Sequence, residues 1–139
     1  MAPIRYIIAQ LDKLFAKGGK RKYLPGIAWF FIILVLISIP GRNMPSTGSW
    51  FEMLMVDKWV HAAMFALLTY LFVRPLKWDG RNRQEFGFII MISLYGMVTE
   101  FIQHHLVPGR SFDAWDWIAD NLGIIIGLYI NKKVPLPLK

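Results

Sequence analysis

The sequence predicts an all-α integral membrane protein: a four-helix bundle preceded by an amphipathic helix that lies in the membrane interface. Three observations lead there. Of 139 residues, 55% are hydrophobic and only 18% are charged, against about 25% charged in an average soluble domain. A soluble domain of this size could not hide that much apolar surface and still cover itself with charge. The apolar residues gather in four stretches, and a spanning helix needs about 20 mainly apolar residues. Backbone groups in hydrocarbon must be satisfied within their own segment, so the stretches are helices rather than strands. The same composition excludes a disordered chain. The absence of cysteine excludes a disulfide framework, a thiolate metal site and a cysteine nucleophile.

Taken in order, residues 1–22 form a basic segment in which Ile4, Ile7, Ile8, Leu11, Leu14 and Phe15 recur at helical spacing beside Asp12, Lys13 and Lys17. That pattern suits a helix in the interface, its basic residues meeting anionic headgroups. Gly18-Gly19 breaks it before Lys20-Arg21-Lys22. The first span, 24–40, reads LPGIAWFFIILVLISIP, with a proline near each end. A basic head before an apolar run resembles a signal peptide, but SIPGRNMPS lacks a small-x-small cleavage site, so the span is read as uncleaved. The second, 57–73, is short unless Val56, Asp57 and Lys58 extend the run that starts at Trp59. The third, 86–106, and the fourth, 113–131, have full length. Together 24–131 make one transmembrane domain, and 132–139 a basic tail. Six Trp residues, Trp29, Trp50, Trp59, Trp78, Trp115 and Trp117, mostly fall near span ends, as an aromatic belt would.

Orientation follows from the basic residues. Thirteen of the sixteen fall before the first span, in the loop from Arg74 to Arg83, or after the fourth. Only Arg42, Lys58 and Arg110 lie on the other side. By the positive-inside rule both termini are cytoplasmic, in the bacterial inner membrane. The charge of +7 then serves topology and lipid contact, and no nucleic acid is needed to explain it.

This orientation gathers the polar residues at the outer face. Asp57 and His61 are i and i+4 on the second span. Glu100 precedes Gln103 by three residues and His104 by four, again one helix face. Asp113, Asp116 and Asp120 form a stripe down the fourth span. A carboxylate facing lipid costs about 2.5–3.5 kcal/mol on insertion scales, so the stripes should face one another. The expected product is a polar pocket that opens outward and holds up to five carboxylates with His61, Lys58 and Arg110. Gly123-x-x-x-Gly127 permits close approach of another helix, and Tyr95, Gly96 and Thr99 of the third span offer a facing small surface.

Two segments also resemble a known family. VDKWVHAAMFALLTYLF is similar to the D-K-x-x-H-x-x-x-F element of the VanZ-like family, the small membrane proteins of the teicoplanin-resistance type. YGMVTEFIQHHLVPGRSFDAWDWIADNLGIIIG resembles its E-x-x-Q, R-S-x-D-x-x-D and G-x-x-x-G elements, so that the likeness covers about residues 55–128. Carried over, the pattern falls on Asp57, Lys58, His61, Phe65, Glu100, Gln103, Arg110, Asp113, Asp116, Gly123 and Gly127. Asp120 stands where many relatives show asparagine, and His104 and His105 lie outside the pattern. The resemblance implies a small multi-pass membrane protein and an association with teicoplanin tolerance, without a mechanism.

Three functional readings follow from the cluster. In the leading one, Arg110, Lys58 and His61 contact the phosphate or carboxylate of a lipid-linked envelope precursor or a glycopeptide, with membrane lipids as the other partners. In the second, His61 is a general base oriented by Asp57, with Glu100 as acid, in a membrane-embedded hydrolase or transferase. In the third, the network is structural, although carboxylates outnumber bases. His61, His104, Glu100 and the aspartates are suitable metal ligands, but no H-E-x-x-H motif is present, and neither a metal nor another cofactor is expected.

Overall fold

The computed structural model describes residues 19–39, 50–76 and 83–133, together with Tyr6, Gln10, Lys13 and Phe15. Among these residues the protein is helical and without strands. A short 3-10 turn at Gly19–Tyr23 leads into α1, Leu24–Ile37. The longer helices are α2, Trp50–Val73, continued by a 3-10 turn at Arg74–Leu76; α3, Arg83–Leu106; and α4, Ala114–Lys133. Of the predicted interfacial segment, Tyr6, Gln10, Lys13 and Phe15 are helical, and Phe15 packs on Tyr70 and Leu71. The remainder of residues 1–18 lies outside the described residues, as do 134–139 of the basic tail. Gly19 has φ of +61°, a conformation that glycine adopts without steric cost, and it separates the N-terminal residues from α1.

Helix lengths differ from the expected spans. α1 has 14 residues and is therefore about 21 Å long, short of a hydrocarbon core of about 30 Å. It stops at Ile37 because Pro40 follows: the residue before a proline is pushed out of the α region. The hydroxyl of Ser38 then bonds the Leu34 carbonyl at 2.7 Å. α2, conversely, starts seven residues before Asp57, and its 24 residues give about 36 Å. Two segments, Val56–Leu76 and Phe86–Leu106, are long and apolar enough to cross a membrane. α4 has the length, but Asp116, Asp120, Lys132 and Lys133 interrupt its apolar character.

α2 is the centre of the assembly, touched by the other three helices and most extensively by α4. Its inward residues Met64, Phe65, Leu68 and Phe72 meet Ile33 and Ile37 of α1, Ile92 and Tyr95 of α3, and Ile124 of α4. Tyr95 stacks on Phe30 with ring centroids 4.0 Å apart, and its hydroxyl donates to the Phe30 carbonyl at 2.8 Å. The outer helices expose long apolar side chains, among them Phe31 and Val35 of α1, Leu94 and Phe101 of α3, and Ile125 of α4. Surfaces of that extent need an apolar covering, and hydrocarbon supplies one.

The tryptophans divide. Trp59, beside Lys58 within α2, and Trp115, in the first turn of α4, are both exposed. Trp29 and Trp117 instead tie helices together, their indole N–H groups donating to the carbonyls of Met64 (2.9 Å) and Ser93 (3.1 Å). The side chains of Trp50 and Trp78 lie outside the described residues.

Gly123 and Gly127 are buried against α2. A Cβ at Gly123 would strike the Ala62 carbonyl oxygen, and one at Gly127 the Ala66 carbonyl oxygen and Thr69 Cβ. The facing small surface is therefore Ala62-x-x-x-Ala66 on α2, not Tyr95 to Thr99 on α3. Small residues at four-residue spacing on both helices let the backbones touch. Gly96 has another neighbour: a Cβ there would lie 2.8 Å from Asp120 Oδ2 and 3.2 Å from Phe65.

Candidate functional site

The close α2–α4 seam sets the register of the polar residues. Three residues before Gly123, Asp120 lies beside His61, which directly precedes Ala62. Asp113 stands immediately before α4 and caps it, accepting the Trp115 N–H on its carboxylate at 2.8 Å. A seven-residue connection from Val107 to Asp113 turns back from α3 at Gly109, which has φ of +81°. It delivers Arg110 and Asp113 to the start of α4 and the polar end of α2.

These elements bring Asp57, Lys58, His61, Glu100, Arg110, Asp113, Asp116 and Asp120 into one cluster. At its rim Lys58 Nζ bonds Asp113 Oδ2 at 2.7 Å and also reaches Asp116 Oδ1. On another side Arg110 Nη1 bonds Asp57 Oδ2 at 2.9 Å. The interior belongs to His61, Glu100, Asp116 and Asp120, all buried. His61 Nδ1 is 3.0 Å from Asp120 Oδ1 and 3.9 Å from Glu100 Oε1, and Nε2 is 3.9 Å from Asp116 Oδ2. The other oxygen of Glu100 accepts the Asp113 backbone N–H at 3.3 Å. Glu100 Oε1 and Asp120 Oδ2 are buried with no hydrogen-bond partner.

Several sequence expectations change. The carboxylate bonded to His61 is Asp120, across the α2–α4 seam, rather than Asp57 one turn back on its own helix. His104 does not share the inward face of Glu100: it is exposed, and its Nδ1 accepts the Phe112 N–H at 3.3 Å. His105 is exposed as well, its Nδ1 3.0 Å from the Phe101 carbonyl. Gln103 is buried but apart from the acidic interior, its amide 3.4 Å from the Ile37 carbonyl.

A pocket of about 140 Å³ adjoins the cluster, lined by Leu36, Ile37, Ile39, Asp57, Val60, His61, Met64, Gln103 and Arg110. One wall is aliphatic, from the end of α1 and from α2. The other carries a guanidinium–carboxylate pair, an imidazole and an amide. The α1 contribution could not be anticipated from spacing, because Leu36, Ile37 and Ile39 look like any other residues of an apolar run. Lys58 does not line the pocket, since Asp113 and Asp116 occupy its ammonium group. The surface these residues present to the pocket is almost entirely apolar, which suits the apolar part of a ligand.

Comparison with known proteins adds one match: the model of a family described as VanZ/LLP1 fits residues 21–134. No curated protein and no solved structure matches the chain.

Proposed function

From the chain's membership of the VanZ/LLP1 family, together with two helices able to cross a membrane, we propose a multi-pass protein of the bacterial inner membrane whose outward-facing site binds a lipid-tailed envelope molecule. The single observation that carries this reading is the pocket. Its almost wholly apolar surface suits an acyl or prenyl chain, and the Arg110–Asp57 pair at its edge is where an attached polar group would be met. Arg110 offers N–H donors in a planar fork that fits phosphate or carboxylate. The positive-inside count supports termini in the cytoplasm and, with them, a pocket at the outer headgroup level, where lipid-linked precursors and acylated glycopeptides are found. In this reading α4 crosses the membrane beside α2 because its aspartates face α2 rather than lipid, and α1 crosses only together with the residues that flank it, since its own length of about 21 Å is shorter than the hydrocarbon core.

The test is binding to the purified full chain in nanodiscs. The probes are teicoplanin, vancomycin (which lacks the acyl tail) and a short polyprenyl diphosphate. A tailed probe should bind, and vancomycin should be weaker than teicoplanin by at least about tenfold, since each buried CH₂ contributes about 0.8 kcal/mol. Arg110→Ala should weaken binding from the polar side and Val60→Trp from the apolar side. Absence of binding by both tailed probes, or wild-type affinity in both variants, contradicts the proposal.

A further inference from the structure

Five carboxylates, Asp57, Glu100, Asp113, Asp116 and Asp120, surround only two permanent cations, Lys58 and Arg110, and both cations sit at the rim. Among the described residues, the interior holds one imidazole and no ammonium or guanidinium group. Buried charge without compensation is expensive, so the interior carboxylates must either hold protons or be met by a cation. Glu100 Oε1 states the same need at a single atom. It is buried, has no hydrogen-bond partner, and is the oxygen that faces His61.

We propose that His61, Glu100 and Asp120 bind one divalent transition-metal cation. The inference rests on these three residues alone and stands whether or not the neighbouring pocket takes a lipid. His61 Nδ1, a Glu100 oxygen and an Asp120 oxygen lie within 4.8 Å of one another. A tetrahedral zinc ion, with bonds of about 2.1 Å, holds its ligands about 3.4 Å apart. The observed separations from His61 Nδ1, 3.0 Å to Asp120 Oδ1 and 3.9 Å to Glu100 Oε1, fall on either side of that value. All three side chains come from long helices, α2, α3 and α4, so an ion there would join the helices of the bundle.

The surrounding groups suit this role. A histidine bound to metal through one nitrogen usually donates its other N–H to a carboxylate, and Asp116 Oδ2 lies on the Nε2 side of His61 at 3.9 Å. The second oxygen of Glu100 is held by the Asp113 N–H, which orients Oε1 toward His61. One nitrogen and two carboxylate ligands match zinc or manganese better than calcium, which takes six to eight oxygens. His61 also lines the pocket, so it is shared by the two sites.

The test uses the full chain purified in detergent, stripped with chelator, and titrated with Zn²⁺, Mn²⁺ and Ca²⁺. Bound metal is counted by plasma mass spectrometry, and thermal unfolding is followed alongside. The wild type should retain about one zinc or manganese ion per chain, as a three-ligand site requires, with little calcium. Its melting temperature should rise on addition of the retained metal. Glu100→Gln and Asp120→Asn should each weaken binding by at least about tenfold and abolish the rise, whereas His105→Ala, at an exposed histidine, should behave as wild type. A wild type that retains no metal and shows no thermal shift would overturn the proposal. So would Glu100→Gln and Asp120→Asn proteins that bind as wild type.

Discussion

Lys58→Met should destabilise the folded protein by about 3 kcal/mol, the lower end of the cost of breaking a buried ion pair. The lower end applies because Lys58 and Asp113 keep side-chain exposures of 23% and 30%, whereas Asp116 is only 5% exposed. Lys58 is the sole ammonium that meets both Asp113 and Asp116 among the described residues, so its loss leaves two carboxylates facing each other at the start of α4. Methionine keeps most of the side-chain volume, which separates loss of charge from loss of packing. Thermal unfolding of the detergent-purified protein measures the effect. The double variant Lys58→Met/Asp116→Leu should recover most of the stability, since replacing a buried pair with apolar groups is often neutral. Asp113 would still cap α4 in that variant. A single variant as stable as the wild type would mean that Lys58 is not what neutralises these aspartates.

The seam between α2 and α4 should prove equally sensitive. Gly123→Ala/Gly127→Ala is expected to cost about 3 kcal/mol or more, the upper range for overpacking. Each new methyl group meets a backbone carbonyl of α2, and a backbone cannot rotate aside as a flexible side chain would. The helices must move apart, which also withdraws Asp120 from His61. Gly87→Ala is the matched control, because nothing lies within 4 Å of a Cβ there and alanine favours helix. Resistance to proteolysis in detergent should fall for the double variant and hold for the control. Equal resistance of the two proteins would mean that the α2–α4 seam is looser than its geometry indicates.

Helical patterning made much of this architecture readable. A strand could not satisfy its backbone in apolar surroundings, and the spacing of Asp113, Asp116 and Asp120 placed them on one side of α4. Spacing along a helix, however, reports which residues share a face and not what they meet. Asp57 and His61 share a face of α2, yet the partner of His61 is Asp120, selected by the register of the glycine seam. The seam partner itself was present in the sequence as Ala62-x-x-x-Ala66, a four-residue spacing of small residues like that of Gly123 and Gly127. The early start of α2 was hidden because Glu52, Asp57 and Lys58 interrupt the apolar run. Arg110, Asp113 and Asp116 meet Asp57 and Lys58 from elsewhere in the chain, and so the helix can continue through these charges.

The proposed outward position of the polar site is open to direct measurement, because the chain has no native cysteine. Single cysteines at Pro108, in the connection beside Arg110, and at Asp79, between α2 and α3, are to be labelled in intact cells with a membrane-impermeant maleimide. With the site outside, Pro108→Cys is labelled in intact cells, and Asp79→Cys only after the membrane is opened. Labelling of Asp79→Cys in intact cells, with Pro108→Cys protected, would put the site on the cytoplasmic side and contradict the account.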